Sequence, residues 1–166
     1  MAKLLNQMVQ AGVITGYAVF GAVAQMRYTE AVATLDADIL VAVPNSDGLD
    51  LLGSIYAFCR QHGYEPEGEA IRVGDWPVQF IPAFSPLTEA AMAEAETGEI
   101  DGIPLCVVRA DYLALIALSV GRAKDLARVL AIRESGAATD EQIAKLAARH
   151  GLAPEWRRFL ERFDEK

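Results

Sequence analysis

Residues 34–43 read TLDADILVAV, and this stretch decides the fold. It is rich in β-branched and apolar side chains and is stopped by Pro44, the pattern of a buried strand. Aspartate is disfavoured inside strands, yet Asp36 and Asp38 stand at the start of this one. Residues two apart on a strand project from the same side, so the spacing puts both carboxylates on one face. Two like charges held that close are unfavourable unless a cation neutralises them. Oxygen ligands of this kind suit Mg²⁺ or Mn²⁺, which can orient a triphosphate and activate an attacking hydroxyl. On spacing alone the pair is also compatible with a solvated strand end.

Upstream, residues 2–11 have the rhythm of a short amphipathic helix with Leu4, Leu5 and Met8 on one face. A strand over 13–20 follows, running through YAVF into a Gly21-Ala22 turn and a helix from Val23 to Tyr28. A glycine at a strand-to-helix turn lets the backbone approach a ligand closely, and free N–H groups at a helix start suit phosphate. Downstream, Leu49, Leu52, Ile55, Tyr56 and Cys59 predict a helix over 47–62, stopped by Gly63. Strands over 71–73 and 77–81 flank a Gly74-Asp75 turn. A helix over 86–97 and a strand over 104–108 complete this part. Four helices close the chain: 112–119 with Asp111 as its cap, 123–133 after a break at Gly121, 140–150 and 154–163. The expected class is α+β (mixed α/β): a small mixed sheet flanked by helices, with a helical C-terminal portion. The expected division is 1–110 for the core and 111–166 for the helical portion packed on it.

Composition narrows the function. The chain has 166 residues, 52% hydrophobic and 23% charged, as expected of a folded globular protein. With 23 acidic against 15 basic residues the formal charge is −8, which argues against broad electrostatic capture of nucleic acid. Cys59 and Cys106 lie far apart among apolar residues and read as buried free thiols, and two histidines leave no zinc cluster. The N-terminal stretch is interrupted by Asn, Gln and Gly and resembles neither a leader nor a membrane span, so no membrane partner and a cytoplasmic location are expected. From 133 to 166 the basic and acidic residues are equal in number, so IAKLAARHGL reads as a packing helix rather than a DNA reader, with Trp156 and Phe159 buried.

The segments YAVFGAVAQMRY and ATLDADILV together resemble the nucleotidyltransferase superfamily that includes DNA polymerase beta and the minimal bacterial enzymes. LALIALSVGRAKDLARVL resembles a Gly-Arg-x-Lys-Asp helix of bacterial nucleotidyltransferases related to abortive-infection toxins. The resemblance spans about residues 12–132 and implies a nucleotidyltransferase fold that binds a nucleoside triphosphate with Mg²⁺ or Mn²⁺. It implies metal binding by Asp36 and Asp38, and nucleotide contacts from Gly21, Ala22, Arg122 and Asp125; Arg27 and Thr34, which flank the loop before Asp36, are expected within reach of the same pocket. It also places Lys124 in the catalytic set. Physically, Lys124 is a mobile point charge for phosphate, Arg122 a planar fork, and Asp125 a group able to hold Lys124 or Arg128 in place.

Two positions depart from the pattern. Ala22 stands where the family has Gly or Ser, so a hydroxyl to phosphate is lost. Gln79 stands where the family carries a third carboxylate; it is neutral and cannot act as a base, while Asp75 precedes that strand. Two readings follow. One is a nucleotidyltransferase acting on a hydroxyl of an RNA, protein or small molecule, with a possible antitoxin or homo-oligomer partner. The other is a degenerate fold serving as a nucleotide-binding or interaction module.

Overall fold

The computed structural model describes residues 1–44 and 50–164. The chain divides into two compact units: Met1–Ala24 with Ala33–Val108, and Gln25–Val32 with Arg109–Lys166.

The first unit is a seven-stranded mixed sheet with helices. In chain order it contains α1 (Ala2–Gln10), β1 (Gly16–Phe20), α2 (Gly21–Gln25, whose last residue belongs to the second unit), β2 (Ala37–Ala42) and α3 (Gly53–Gln61). There follow β3 (Pro66–Glu67), β4 (Ala70–Val73), β5 (Trp76–Pro82), α4 (Pro86–Ala93), β6 (Glu96–Ile100) and β7 (Ile103–Val107). The strands lie in the order β3-β4-β5-β2-β1-β7-β6. At its centre β1 runs antiparallel to β2, while β2 pairs parallel with β5 and β1 parallel with β7. Ile39, Leu40 and Val41 of β2 are buried, as the apolar run in 34–43 predicts. Leu4, Leu5 and Met8 are the buried stripe of α1, spaced to share one helix face.

The second unit is all-helical: α5 (Ala110–Val120), α6 (Ala123–Glu134), α7 (Asp140–Arg149) and α8 (Ala153–Phe163). Every residue of α5 from Ala110 to Leu118 is buried, so it is the unit's central helix. Gly121 ends it in the left-handed conformation (φ 72°), which residues with a Cβ adopt at a cost. Arg133 ties three helices together. It donates to Asp140 at 2.6 Å and Asp164 at 3.0 Å, and its guanidinium lies 5.6 Å from both the Trp156 and Phe159 ring centroids. Trp156 and Phe159 are buried, the packing role expected of them. No helix of the described residues is long and apolar enough to cross a membrane.

Several elements differ from expectation. The predicted strand 34–43 begins only at Ala37, leaving Asp36 one residue outside it. The predicted 13–20 strand starts at Gly16. The predicted 23–28 helix is the short α2; a turn takes over at Gln25, whose carbonyl accepts from the N–H groups of Tyr28 and Thr29. The predicted helix 47–62 is described only as Gly53–Gln61, and 45–49 lie outside the described residues. The predicted helix 86–97 ends at Ala93, and residues 96–100 are instead the exposed edge strand β6. Asp101 (φ 52°) and Gly102 (φ 75°) form the two-residue turn into β7, with both φ values positive as a type I′ hairpin requires. Asp111 is not the cap of α5: that position is Arg109. Asp111 sits buried one residue into the first turn, accepts from the Tyr112 N–H at 2.9 Å and pairs with Arg109 at 2.5 Å. Both cysteines are free thiols, but only Cys59 is buried; Cys106 is half-buried.

Candidate functional site in the sheet unit

The site is built where β1 hands over to α2 beside the start of β2. In the antiparallel pair Phe20 lies opposite Asp38, so the next residue, Gly21, turns beside the Asp38 side chain. Gly21 has φ 64°, and a Cβ placed on it would collide with Asp38 Oδ2 and lie 3.1 Å from Cγ and 3.2 Å from Cβ. Glycine is therefore required twice, for its backbone conformation and for the space the carboxylate occupies. Asp38 is half-buried, whereas its strand neighbours Ala37 and Ile39 are buried on the other face. Asp36, also half-buried, stands in the bend before the strand. Thr34 Oγ1 donates to its backbone carbonyl at 3.0 Å and to its Oδ1 at 3.2 Å. Thr34 thus fixes a carboxylate of the candidate pair.

The parallel register pairs Asp38 with Gln79. Residues paired across neighbouring strands share a face, so the position beside Asp38 carries a neutral amide. Asp75 is exposed on the β4–β5 turn, where Val73 pairs with Trp76, and is not the residue in register with Asp38. Among the described residues no group of three His, Cys, Asp and Glu side chains converges. The donors present still fit one hard divalent cation: two carboxylates balance its charge, the amide oxygen is a neutral donor, and phosphate and water commonly complete such shells.

The remaining predicted residues belong to the helical unit. Arg27 is exposed, with its guanidinium 5.9 Å from the Tyr28 ring centroid. Asp125 is buried in the first turn of α6, and its partner is neither Lys124 nor Arg128. It accepts from Arg122 Nε at 2.6 Å, a pairing that raises the Arg122 pKa above its ordinary value. Arg128 Nε instead donates to the buried Gln25 Oε1 at 2.9 Å. Lys124 is exposed and has no ion pair among the described residues. Ala22, in the sheet unit, is half-buried at the start of α2. Pattern reading missed Tyr56, Arg60 and Glu69, which line a cleft with Gln79. Only the 53, 56, 60 spacing on α3 hinted at a shared face.

No family model matches the sequence, and no curated protein does. Two solved structures resemble it over nearly its whole length. One is an antigenic nucleotidyltransferase-like protein from Paracoccidioides brasiliensis, with TM-score 0.61 and 11% identity over 94% of this chain and 89% of that one. The other is the antibiotic-resistance factor ANT(2'')-Ia in solution, with TM-score 0.53 and 14% identity over 98% of this chain and 92% of that one. The fold is that of the nucleotidyltransferases. At these identities the likeness carries the nucleotidyltransferase fold and leaves chemistry to the residues themselves.

Proposed function

We propose that this protein binds a nucleoside triphosphate with Mg²⁺ or Mn²⁺ at the Gly21–Asp38 corner and transfers its nucleotidyl group to a hydroxyl. The carrying observation is the Asp38 carboxylate lying against the bare Cα of Gly21, with Thr34 hydrogen-bonded to Asp36, two residues before Asp38 in the chain. That sets carboxylates beside the backbone turn, where a cation held by them would meet a phosphate held by backbone N–H groups. The divalent cation, held by Asp36 and Asp38, supplies charge neutralisation for the triphosphate. In the transfer, the acceptor oxygen bonds to the α-phosphorus, the bond from that phosphorus to the bridging oxygen breaks, and pyrophosphate leaves. The hydroxyl proton passes to solvent, because Gln79 offers no base. The roles of Ala22, Arg122, Lys124 and Asp125 toward the nucleotide rest on the family resemblance, as does an antitoxin partner; that of Arg27 rests on its place in the sequence beside the loop before Asp36.

Calorimetry tests this reading. The protein is titrated with each nucleoside triphosphate in Mg²⁺, then the Asp36→Ala and Asp38→Ala variants are compared. Binding by the wild type and loss of about tenfold or more in each variant are expected. No binding by the wild type at millimolar nucleotide rejects the proposal. A second reading, a nucleotide-binding module without transfer, is favoured by Gln79 in register with Asp38. It predicts binding with no transfer to any acceptor.

A further inference from the structure

Transfer needs a place for the acceptor, and a second feature of the sheet unit starts from Gln79. A cleft of about 740 Å³ has β5 from Gln79 to Pro82 as its floor. β4 pairs with β5 only over Trp76–Val78, so this floor lies past the end of β4. One wall is α3, with Tyr56 and Arg60; the other is the β3–β4 turn, with Gly68 and Glu69. The Tyr56 hydroxyl donates to the Glu69 carbonyl at 3.0 Å and ties the two walls together. Burial, with the Glu69 carboxylate next in importance, raises the Tyr56 pKa and keeps that donor protonated.

Three charged side chains line this cleft, the cation Arg60 and the carboxylates Glu69 and Asp50. Arg60 and Glu69 are both exposed, and neither has an ion pair among the described residues, with each other or with a third group. The volume is in the range of small-molecule sites, of order 300–1,000 Å³. A net charge of −8 argues against electrostatic recruitment of a nucleic acid to this cleft. Gln79 joins the cleft to the carboxylates, since it both lines the floor and sits in register with Asp38.

We propose that this cleft binds the acceptor, and that the acceptor is a small hydroxyl-bearing zwitterion whose carboxylate meets Arg60 and whose ammonium meets Glu69. Arg60 offers a planar fork suited to a carboxylate, and the Gln79 amide can both donate to and accept from the hydroxyl. The assignment of that hydroxyl as nucleotidyl acceptor rests on the function proposed above; binding in the cleft does not.

The test is an NMR titration of the isotope-labelled full chain without nucleotide, using L-serine, L-threonine and L-tyrosine as probes. L-Serinamide, which keeps only the ammonium, and N-acetyl-L-serine, which keeps only the carboxylate, are the controls. At least one zwitterion is expected to shift the Tyr56, Arg60, Glu69 and Gln79 signals saturably. The matching single-charge controls should bind about tenfold more weakly, a difference of ~1.4 kcal/mol. Arg60→Gln should remove the preference over serinamide, and Glu69→Gln the preference over N-acetylserine, both with native spectra. No saturable shift at roughly tens of millimolar, or controls binding as well as zwitterions, overturns the proposal. Failure of nucleotide calorimetry with cleft binding intact would reject the transferase reading alone.

Discussion

Replacing Gly21 with alanine separates two costs that one turn combines. An L-residue at φ 64° costs roughly 1–2 kcal/mol in backbone conformation alone. The new Cβ would also press on the Asp38 carboxylate, with Cγ at 3.1 Å, so that side chain must leave its rotamer. Such a displacement adds about 0.5–1.5 kcal/mol, for a total of about 1.5–3.5 kcal/mol. Gly12 is the internal control, because it has φ 69° but nothing within 4 Å of an added Cβ. Gly12→Ala should therefore show only the backbone cost, about 1–2 kcal/mol. Hydrogen exchange of β1 and β2 amides alongside urea unfolding reads both losses. Mn²⁺ affinity, read by electron paramagnetic resonance, should fall about tenfold in Gly21→Ala and stay unchanged in Gly12→Ala. Equal stability losses with unchanged Mn²⁺ affinity in both variants would refute the idea that Gly21 makes room for a metal-binding carboxylate.

Three further outcomes are expected. Arg133 holds the Asp140 carboxyl below its ordinary 3.8, so this pair stabilises the fold above that value and the benefit is lost as pH falls through the lowered pKa. Asp140 is 52% exposed, so Asp140→Asn should cost only about 0.5 kcal/mol at neutral pH after screening. Parallel wild-type and variant unfolding curves from neutral pH to below the carboxylate range check that the gap closes at the acid end. Burial pushes the Cys59 thiol up to about 11, so a thiolate-specific reagent near pH 8 should modify one cysteine, Cys106, in the native protein and both after denaturation. Equal native rates for the two would contradict this. Gln79→Asp adds a third carboxylate in register with Asp38, and it should raise Mn²⁺ occupancy and increase transfer at alkaline pH. A variant with unchanged Mn²⁺ binding would show that position 79 does not face the cation.

What was legible in the sequence was whatever a local period encodes. The stripe of α1 and the helices α7 and α8 follow from apolar spacing, because each buries one face, while β2 and α5 follow from continuous apolar runs that are buried on both sides. β6 was not legible: Glu96, Gly98 and Glu99 carry no strand signature, and the segment is a strand because β7 pairs with it through the Asp101-Gly102 turn. The start of α5 was misread for a related reason. Asp111 has the chemistry of a cap, but Arg109 neutralises it inside the first turn, and that pairing is visible only in three dimensions. Likewise Asp125 is flanked by three basic residues within four positions, and nothing in their order says that Arg122 is the one it takes.

The candidate site divides along the same line. The spacing of Asp36 and Asp38 predicts a shared side, yet Asp36 stands one residue outside β2, and only the structure says what stands beside Asp38: Gly21 just past the end of β1 and Gln79 across β5. These two neighbours pull the functional argument in opposite directions. Gly21 strengthens it, since a residue with no side chain at a positive φ lets the half-buried Asp38 carboxylate pack directly against the turn that opens α2. Gln79 limits it, since a neutral amide adds no charge for a second cation and accepts no proton. It also lines the cleft that carries Arg60, Glu69 and Asp50, which places the amide between Asp38 and that cleft. Under the proposed function, the two neighbours fit a site in which one cation and the backbone would hold the triphosphate while catalysis would rely on positioning the hydroxyl, an effect that needs no carboxylate at 79.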